Sequence, residues 1–395
     1  MRIAVLSPFV DRCHGTERSL AEIVDRLAKR HGHEIHLYSQ RVDDLQVTPF
    51  ANREQNASRR IFWHRVPRLP APHLFAFLFW MFANRLCRLF DRWFRHLRFD
   101  AVFSPGINAA DADLILVHIV FHRLRELQLE RSSEGLRGLH RSLYYGLVCF
   151  LENRIYRRKA LRLAAVSGHT ARQLAHYFGR RDAVVVPNGV DLSLFSPASR
   201  LALWDTTRQR LGYSPGDILL LLIGNDWRNK GLPTLLEAMN RLNHPSLRLC
   251  VVGSDAPAGF LHQVQSLHLS DRVKFFAESS DILAFYAAAD IYAAPSLEDS
   301  FNLPVLEAMA CGLPVLVSRL AGISDYITDG VDGIVLQAPG DPSALAGALS
   351  LLLQHPELRR SLGENAARKA RHFSWDRQAD AIHGLLSGAE PEPLA

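Results

Sequence analysis

The chain has 395 residues, 48% of them hydrophobic and 22% charged, with a formal net charge of +6. That length exceeds one ordinary hydrophobic core, so two domains are expected. The composition excludes a disordered or fibrous chain, and the modest basicity suits anionic lipid, nucleic acid or phosphorylated substrates without any nucleic-acid motif to single one out.

The opening run "RIAVLSPF" (2–9) is β-like, too short for the apolar core of a secretory signal, and soon followed by Asp11 and Arg12. "TERSLAEIVDRLAKRHG" (16–32) has apolar positions at helical spacing and stops at Gly32, and "HEIHLYS" (33–39) alternates like a strand. The longest apolar run, "LFAFLFWMFAN" (74–84), falls well short of the roughly 20 residues that span a bilayer. The wider stretch 72–99 mixes Phe, Trp and Leu with Arg, and 137–159 is similar. Two readings fit 72–99: an interfacial helix on anionic lipid, or a helix buried against a sheet with its Arg side chains outward.

"DAVFSPG" (100–106), "DLILVHIV" (113–120), "LAAVS" (163–167) and "DAVVVPNGV" (182–190) read as strands, with the helical "GHTARQLAHYFG" between the last two. The turn-rich "PNGVDLSLFSP" (187–197) marks a boundary near 190–200. A second β/α series follows: "DILLLLIGN" (217–225), helical "LPTLLEAMNRL" (232–242), then "LRLCVVGS", "RVKFFAE", "DIYAAPS", "PVLVS" and "DGIVLQ" as short strands. A last helix is expected over Asp376–Leu386, with the tail "GAEPEPLA" frayed. This rhythm implies two mostly parallel sheets covered by helices, with ligands beyond the carboxyl ends of their strands. Two such sheets facing each other make a cleft suited to a two-substrate reaction. The five cysteines, Cys13, Cys87, Cys149, Cys250 and Cys311, are odd in number and lack a CxxC, which argues against a disulfide framework or a metal-thiolate set and favours a reducing, cytoplasmic compartment.

Three stretches carry chemistry. In "EDSFNLPVLEAMACG" (298–312), Pro304 suits the first turn of a helix running from about Leu303 to Ala310 and ending near Gly312. Amides at its start around Asn302 and Leu303 suit a diphosphate, Glu307 suits two ribose hydroxyls, and Asp299 can reach a group beyond the phosphates. The bland alternative is a capped helix with Glu307 exposed. In "IGNDWRNKG" (223–231), Arg228 and Lys230 follow a strand and can neutralise a diphosphate leaving group; a solvated basic loop is the alternative. In "FVDRCHGTERSLAEIV" (9–24), Gly15 gives a ligand room at a helix start, although neither a dinucleotide fingerprint nor a phosphate-binding P-loop is present.

In this order the motifs resemble the retaining glycosyltransferases of family 4, group 1, over nearly the whole chain. "AAVSGHTARQL", "VVVPNGVDLSLFSP", "WRNKGLPTLLEAM" and, most specifically, "PSLEDSFNLPVLEAMACGLPVLVS" carry the likeness. The resemblance implies an α/β GT-B fold, two Rossmann-like doubly wound domains facing a central cleft. Residues 1–190 would bind the acceptor, joined by the C-terminal helix 376–390, and residues 198–375 would bind the nucleotide sugar. It implies that Glu307 holds the ribose, Asp299 the donor sugar, Arg228 and Lys230 the diphosphate, and Gly15, Asn302 and Leu303 complete the phosphate cradle. It also implies a His of the first domain near the donor sugar, His118 or in reserve His122, and no essential bound metal or other cofactor.

The chain departs from the pattern in four places: Asp299 stands where the family has Glu, with Glu298 beside it; Phe301-Asn302 replaces Phe-Gly; His14-Gly15 replaces paired glycines; and Asn225 or Asp226 replaces an Arg, with Arg228 as substitute. The expected activity is transfer of a sugar to an acceptor hydroxyl, on a sugar or a lipid-linked acceptor, in glycolipid, lipopolysaccharide or polysaccharide synthesis, with peripheral contact to the inner membrane face. The rivals are a non-catalytic nucleotide-sugar binder, supported by the Asp299 and Asn302 departures, and a sugar-nucleotide epimerase or phosphorylase of the same fold. Lys230 and Glu307 together favour transfer.

Overall fold

In the computed structural model, described over residues 1–52, 60–129 and 136–389, the apolar runs form two parallel sheets. The tail expected to fray lies, from residue 390 on, outside the described residues. Met1–Gly189 with Trp375–Ala395 make up one unit, and Val190–Ser374 the other.

The first unit runs β1 (Arg2–Leu6), β2 (Phe9–Val10), α1 (Gly15–Lys29), β3 (Glu34–Ser39), β4 (Arg41–Val42), β5 (Thr48–Pro49), β6 (Ile61–Arg65), α2 (His73–Phe94), β7 (Ala101–Pro105), β8 (Leu114–Val117), α3 (Phe121–Leu129), α4 (Leu136–Tyr156), β9 (Arg162–Ala165), α5 (Gly168–Phe178) and β10 (Val184–Val185). Its main sheet has the order β10-β9-β8-β7-β1-β3-β6-β5, parallel throughout. Strand order reverses between β1 and β7, which opens a crevice at their carboxyl ends. The last helix of the chain, Trp375–Ser387, returns to this unit. It pairs Asp380 with Arg30 at 2.9 Å, and its buried Gln378 bonds Asn188 at 2.9 Å. The strand expected over 113–120 stops at Val117, because the chain turns at His118 and a new helix starts at Phe121.

Helix α2 meets the expectation of a helix with its Arg side chains outward only in part: Arg85 and Arg92 are exposed, but Arg88 turns inward and large apolar side chains are left outside. Its inner face holds Trp80, Ala83, Asn84, Arg88 and Asp91, while Phe75, Leu78, Phe82, Leu86, Phe90 and Trp93 are exposed. The polar inner face is largely paired, the Arg88 Nε excepted. Arg88 makes a two-pronged bond to Asp111 at 2.8 and 2.9 Å, and Asp91 accepts from the Tyr38 hydroxyl at 2.7 Å. Charge pairing therefore decides which face points inward, and the aromatic face is left outside.

The second unit runs α6 (Pro197–Leu211), β11 (Ile218–Ile223), α7 (Leu232–Leu242), β12 (Leu247–Val252), α8 (Ala258–Ser266), β13 (Val273–Phe276), α9 (Ile282–Ala288), β14 (Ile291–Ala294), α10 (Leu303–Ala310), β15 (Val315–Ser318), β16 (Ile334–Leu336), α11 (Pro342–Gln354) and α12 (Pro356–Ala370). The sheet order β13-β12-β11-β14-β15-β16, all parallel, is the doubly wound order, and it reverses between β11 and β14. Buried runs such as Leu219–Leu222 and Leu249–Val252 cover both faces, as a sheet sandwiched by helices requires. The loops after β11 and β14 meet at the reversal. Gly231 has a φ of 81°, and a Cβ there would strike the carbonyl oxygen of Pro295, so only glycine lets the two loops approach this closely.

Candidate functional site

In the second unit the reversal point gathers most of the residues singled out in the sequence. The loop after β11 carries Arg228 and Lys230, and the loop after β14 carries Glu298 and Asp299. The Lys230 Nζ lies 2.6 Å from the Asp299 Oδ2, both side chains about one-seventh exposed (16% and 14%). Asn229 stitches the two loops: its side-chain Nδ2 donates to the Glu298 carbonyl at 2.8 Å, and its carbonyl accepts from the Leu297 amide at 2.8 Å. The Glu298 side chain is buried, so Asp299 is the carboxylate that meets the lysine. Arg228 is exposed, its guanidinium 5.9 Å from the centre of the Phe260 ring, and makes no ion pair among the described residues.

Helix α10 spans Leu303–Ala310 with Pro304 in its first turn, and Gly312 follows at a φ of 75°. Its cap, Asn302, is itself in the left-handed region at a φ of 75° and caps with no side-chain bond. That is the conformation the more usual glycine adopts freely, and asparagine tolerates it better than most residues. The Asn302 Nδ2 donates to the Ser296 hydroxyl at 3.2 Å, while its buried Oδ1 has no partner. The amides of Asn302 and Leu303 have no backbone acceptor among the described residues. Glu307, one turn in, is only 4% exposed, and its Oε2 accepts from the Tyr286 hydroxyl at 2.7 Å. An exposed Glu307 on an ordinary capped helix is therefore not what forms.

In the first unit, Gly15 opens α1, solvent-exposed and outside the left-handed region, so it supplies room rather than backbone freedom. Asp11 shapes the turn before it, accepting from the amides of Cys13 and His14 at 2.9 Å each. Burial raises the Asp11 carboxyl, but the bonds from His14 and Cys13 outweigh it and hold it below the usual range. At the β1/β7 reversal lies a cavity of about 420 Å³, walled by Phe9, Glu17, Arg68, Trp80, Tyr144 and His118 among others.

His118 is 6% exposed; neither ring nitrogen makes a well-formed hydrogen bond among the described residues, and the only polar group acting on the ring is the Leu116 backbone, which favours the protonated form weakly. Burial pushes its pKa down to about 4, so the ring is neutral at pH 7. His122 is differently placed: its Nδ1 sits 2.7 Å from the Glu152 carboxylate and its Nε2 3.0 Å from the Asn153 amide. Of the two histidines, only His118 lines the cavity.

Sequence reasoning missed Tyr286, the partner of Glu307, and Asn229, the stitch between loops. Asn229 lies inside the basic loop already singled out; Tyr286, on α9 in an ordinary apolar run, carries no local signal. Glu17, in the stretch around Gly15, also stands at the cavity wall, its carboxyl pushed up by burial.

Residues 14–194 match the family described as Glycosyltransferase Family 4, and residues 205–369 the family described as Glycosyl transferases group 1. D-inositol 3-phosphate glycosyltransferase of Geodermatophilus obscurus is 35% identical over 253 residues, 60% of this chain and 54% of that protein. Its counterpart in Corynebacterium jeikeium is 36% identical over 219 residues, 52% of each. The matched stretch thus spans about half the length of these curated relatives. Among solved structures, WaaG, a glycosyltransferase involved in lipopolysaccharide biosynthesis, aligns with a TM-score of 0.77 at 21% identity, over 98% of this chain and 100% of that one. Anabaena Alr3699/HepE in complex with UDP and glucose aligns at 0.71 and 20%, over 98% and 100%. At such identities these two show the fold, which is GT-B. With one family matched by its first unit and the other by its second, the chain belongs to the family 4, group 1 glycosyltransferases.

Proposed function

We propose that the protein is a retaining glycosyltransferase that moves a sugar from a nucleoside-diphosphate sugar to an acceptor hydroxyl in the synthesis of cell-envelope glycolipid, lipopolysaccharide or polysaccharide. The observation that carries this reading is the Lys230–Asp299 pair beside the unbonded amides of Asn302 and Leu303, with Glu307 one turn further on. In this reading those amides take the diphosphate, Glu307 takes the ribose hydroxyls, and Asp299 takes hydroxyls of the donor sugar. Lys230 moves from Asp299 to the diphosphate and, with Arg228, neutralises the leaving charge without a bound metal. His118 meets the donor sugar as a neutral ring, and the cavity around it receives the acceptor. The acceptor attacks on the face from which the diphosphate leaves, and the departing phosphate takes the acceptor's proton.

The names of the inositol-phosphate and lipopolysaccharide relatives, and the UDP and glucose in one structural neighbour, support the donor and acceptor classes. A panel of nucleotide sugars tests it. At least one is expected to raise the melting temperature by binding the native state alone, and the product anomer, read by NMR, is expected to match the donor's. No stabilising nucleotide sugar removes the reading; an inverted anomer removes the retaining course.

The exposed face of α2 supports a peripheral membrane contact on the cytoplasmic side. Phe82 and Trp93 are 62% and 71% exposed, Arg85 and Arg92 are exposed on the same helix, and Leu143 and Phe150 are exposed on neighbouring α4. No helix among the described residues is long and apolar enough to cross a membrane. Apolar side chains flanked by Arg suit an interface with anionic lipid. The protein is expected to float with phosphatidylglycerol vesicles at low salt, and the double variant Phe82→Asp, Trp93→Asp to stay behind. A wild-type chain that does not float ends this proposal.

A further inference from the structure

The turn between β8 and α3 carries His118, whose ring nitrogens make no well-formed hydrogen bond and feel only a weak backbone interaction with neighbouring Leu116. The restraint comes from α4. Glu152, 0% exposed, accepts the Phe121 amide on Oε1 at 2.8 Å and the His122 amide on Oε2 at 3.0 Å, and its Oε2 lies 2.7 Å from the His122 Nδ1. Asn153, the next residue on α4, holds the other ring nitrogen at 3.0 Å. A carboxylate borrowed from another helix thus does the work of an N-cap for α3, whose own first turn has no acidic residue. Burial pushes the Glu152 carboxyl up in spite of these bonds, so the fold tolerates a costly buried group at this point. One face of α4 links clamp and cavity: Tyr144, Val148 and Glu152 recur every fourth residue, and the first two line the His118 cavity.

His122, Cys149 and Glu152 also bring one potential metal-ligating atom each to within 4.8 Å of the others. Both nitrogens of His122 and both oxygens of Glu152 are already bonded, however, so a metal would have to break the cap of α3 to bind. The arrangement fits a clamp.

Resting on the reading of His118 as the donor-facing histidine, we propose that Glu152 is its positioning residue: by capping α3 three residues downstream it holds the 118–120 turn and keeps the His118 ring aimed into the cavity.

The test uses the full chain with UDP-glucose as probe, and histidine-ring NMR with the His118 line assigned from His118→Ala. Glu152→Gln keeps the shape but replaces one acceptor oxygen by a donor. It is expected to lower the turnover of UDP-glucose hydrolysis about 10–100-fold at unchanged KM, and to broaden or shift the His118 line at a temperature where the variant is folded. The line is read on the ligand-free chain, so that arm stands even if UDP-glucose is not turned over. If Glu152→Gln does not fold, Asn153→Ala, which frees only the Nε2 of His122, is expected to give a small but resolved shift of the His118 line. A His118 line that neither variant moves, with unchanged hydrolysis, overturns the clamp alone. Hydrolysis unaffected by His118→Ala overturns the reading beneath it. Stoichiometric zinc carried by the wild-type chain and lost in Glu152→Gln replaces the clamp with a metal site.

Discussion

Lys230→Ala is expected to lower turnover by about 10²- to 10³-fold with the chain still folded, the scale seen when one preorganised charge-stabilising group is removed. Lys230 is confined as well as charged: a Cβ on Gly224 would come within 2.8 Å of its Cε, so the chain before it is shaped to let the lysine stem pass. Arg228 does not replace it, because Arg228 is exposed and lies over Phe260. The loop itself does not depend on the side chain. The Lys230 amide bonds the Asp226 carbonyl at 2.9 Å, the Gly231 amide bonds the Arg228 carbonyl at 3.2 Å, and Asn229 retains its ties to the loop after β14. The stability cost is that of a partly buried ion pair losing one member, about 1–3 kcal/mol, within the reserve of an ordinary domain.

The companion variant Asp299→Asn separates two roles for the pair. If the carboxylate only parks the lysine, the amide leaves Lys230 free for phosphate and donor affinity holds or rises. If Asp299 also accepts donor-sugar hydroxyls, kcat falls while the free nucleoside diphosphate binds as before. The double variant is expected to fall short of the product of the single losses, since the two groups are in contact and act on one leaving group. Turnover unchanged in Lys230→Ala ends the assignment of the leaving-group role.

What was legible in the sequence was local. Pro304 and Gly312 bracket α10, and the observed helix starts and ends where they require. The apolar runs placed most of the strands, because a strand sandwiched by helices needs side chains buried on both faces. The unread parts depend on partners far along the chain. Tyr286 reaches Glu307 across 21 positions, and Glu152 reaches the His122 ring across 30. The inward turn of Arg88 on α2 was unread for the same reason: periodicity shows which residues share a face, but Arg88 turns inward only because Asp111, 23 positions on, receives it. Asn302 was legible as a departure from the family's glycine; that it would take the glycine's left-handed conformation was not.

Lowering the pH from 7 to 4.5 is expected to destabilise the first unit by several kcal/mol. His36 and His118, 0% and 6% exposed, are each pushed down to about 4, in both cases chiefly by burial. The unfolded chain binds these protons near pH 6.5, the folded chain only near 4. The stability tied to the neutral rings is therefore complete above about 6.5, is lost as the pH falls towards 4, and changes no further below that. A pKa difference of this size is worth on the order of 3 kcal/mol per ring at its limit, against a typical total of about 5–15 kcal/mol. Glu152 and Glu17, both raised chiefly by burial, act in the opposite sense and recover part of the loss. Glu34 and Asp91 are held low, their bonds to Arg2 and His36 and to His64 and Tyr38 outweighing burial, so they add loss only below the ordinary carboxylate range. The window from 6.5 to 4 is thus governed by histidine. Urea midpoints measured across it are expected to drop steadily in the wild type and less steeply in His118→Asn, which removes one titrating ring. A nucleotide should not flatten the slope if it engages only the second unit, whereas a ligand seated against His118 should. Midpoints that stay level from pH 7 to 4.5 would show that the folded chain takes up protons over this range as readily as the unfolded one, and would overturn the burial-lowered titration of these rings.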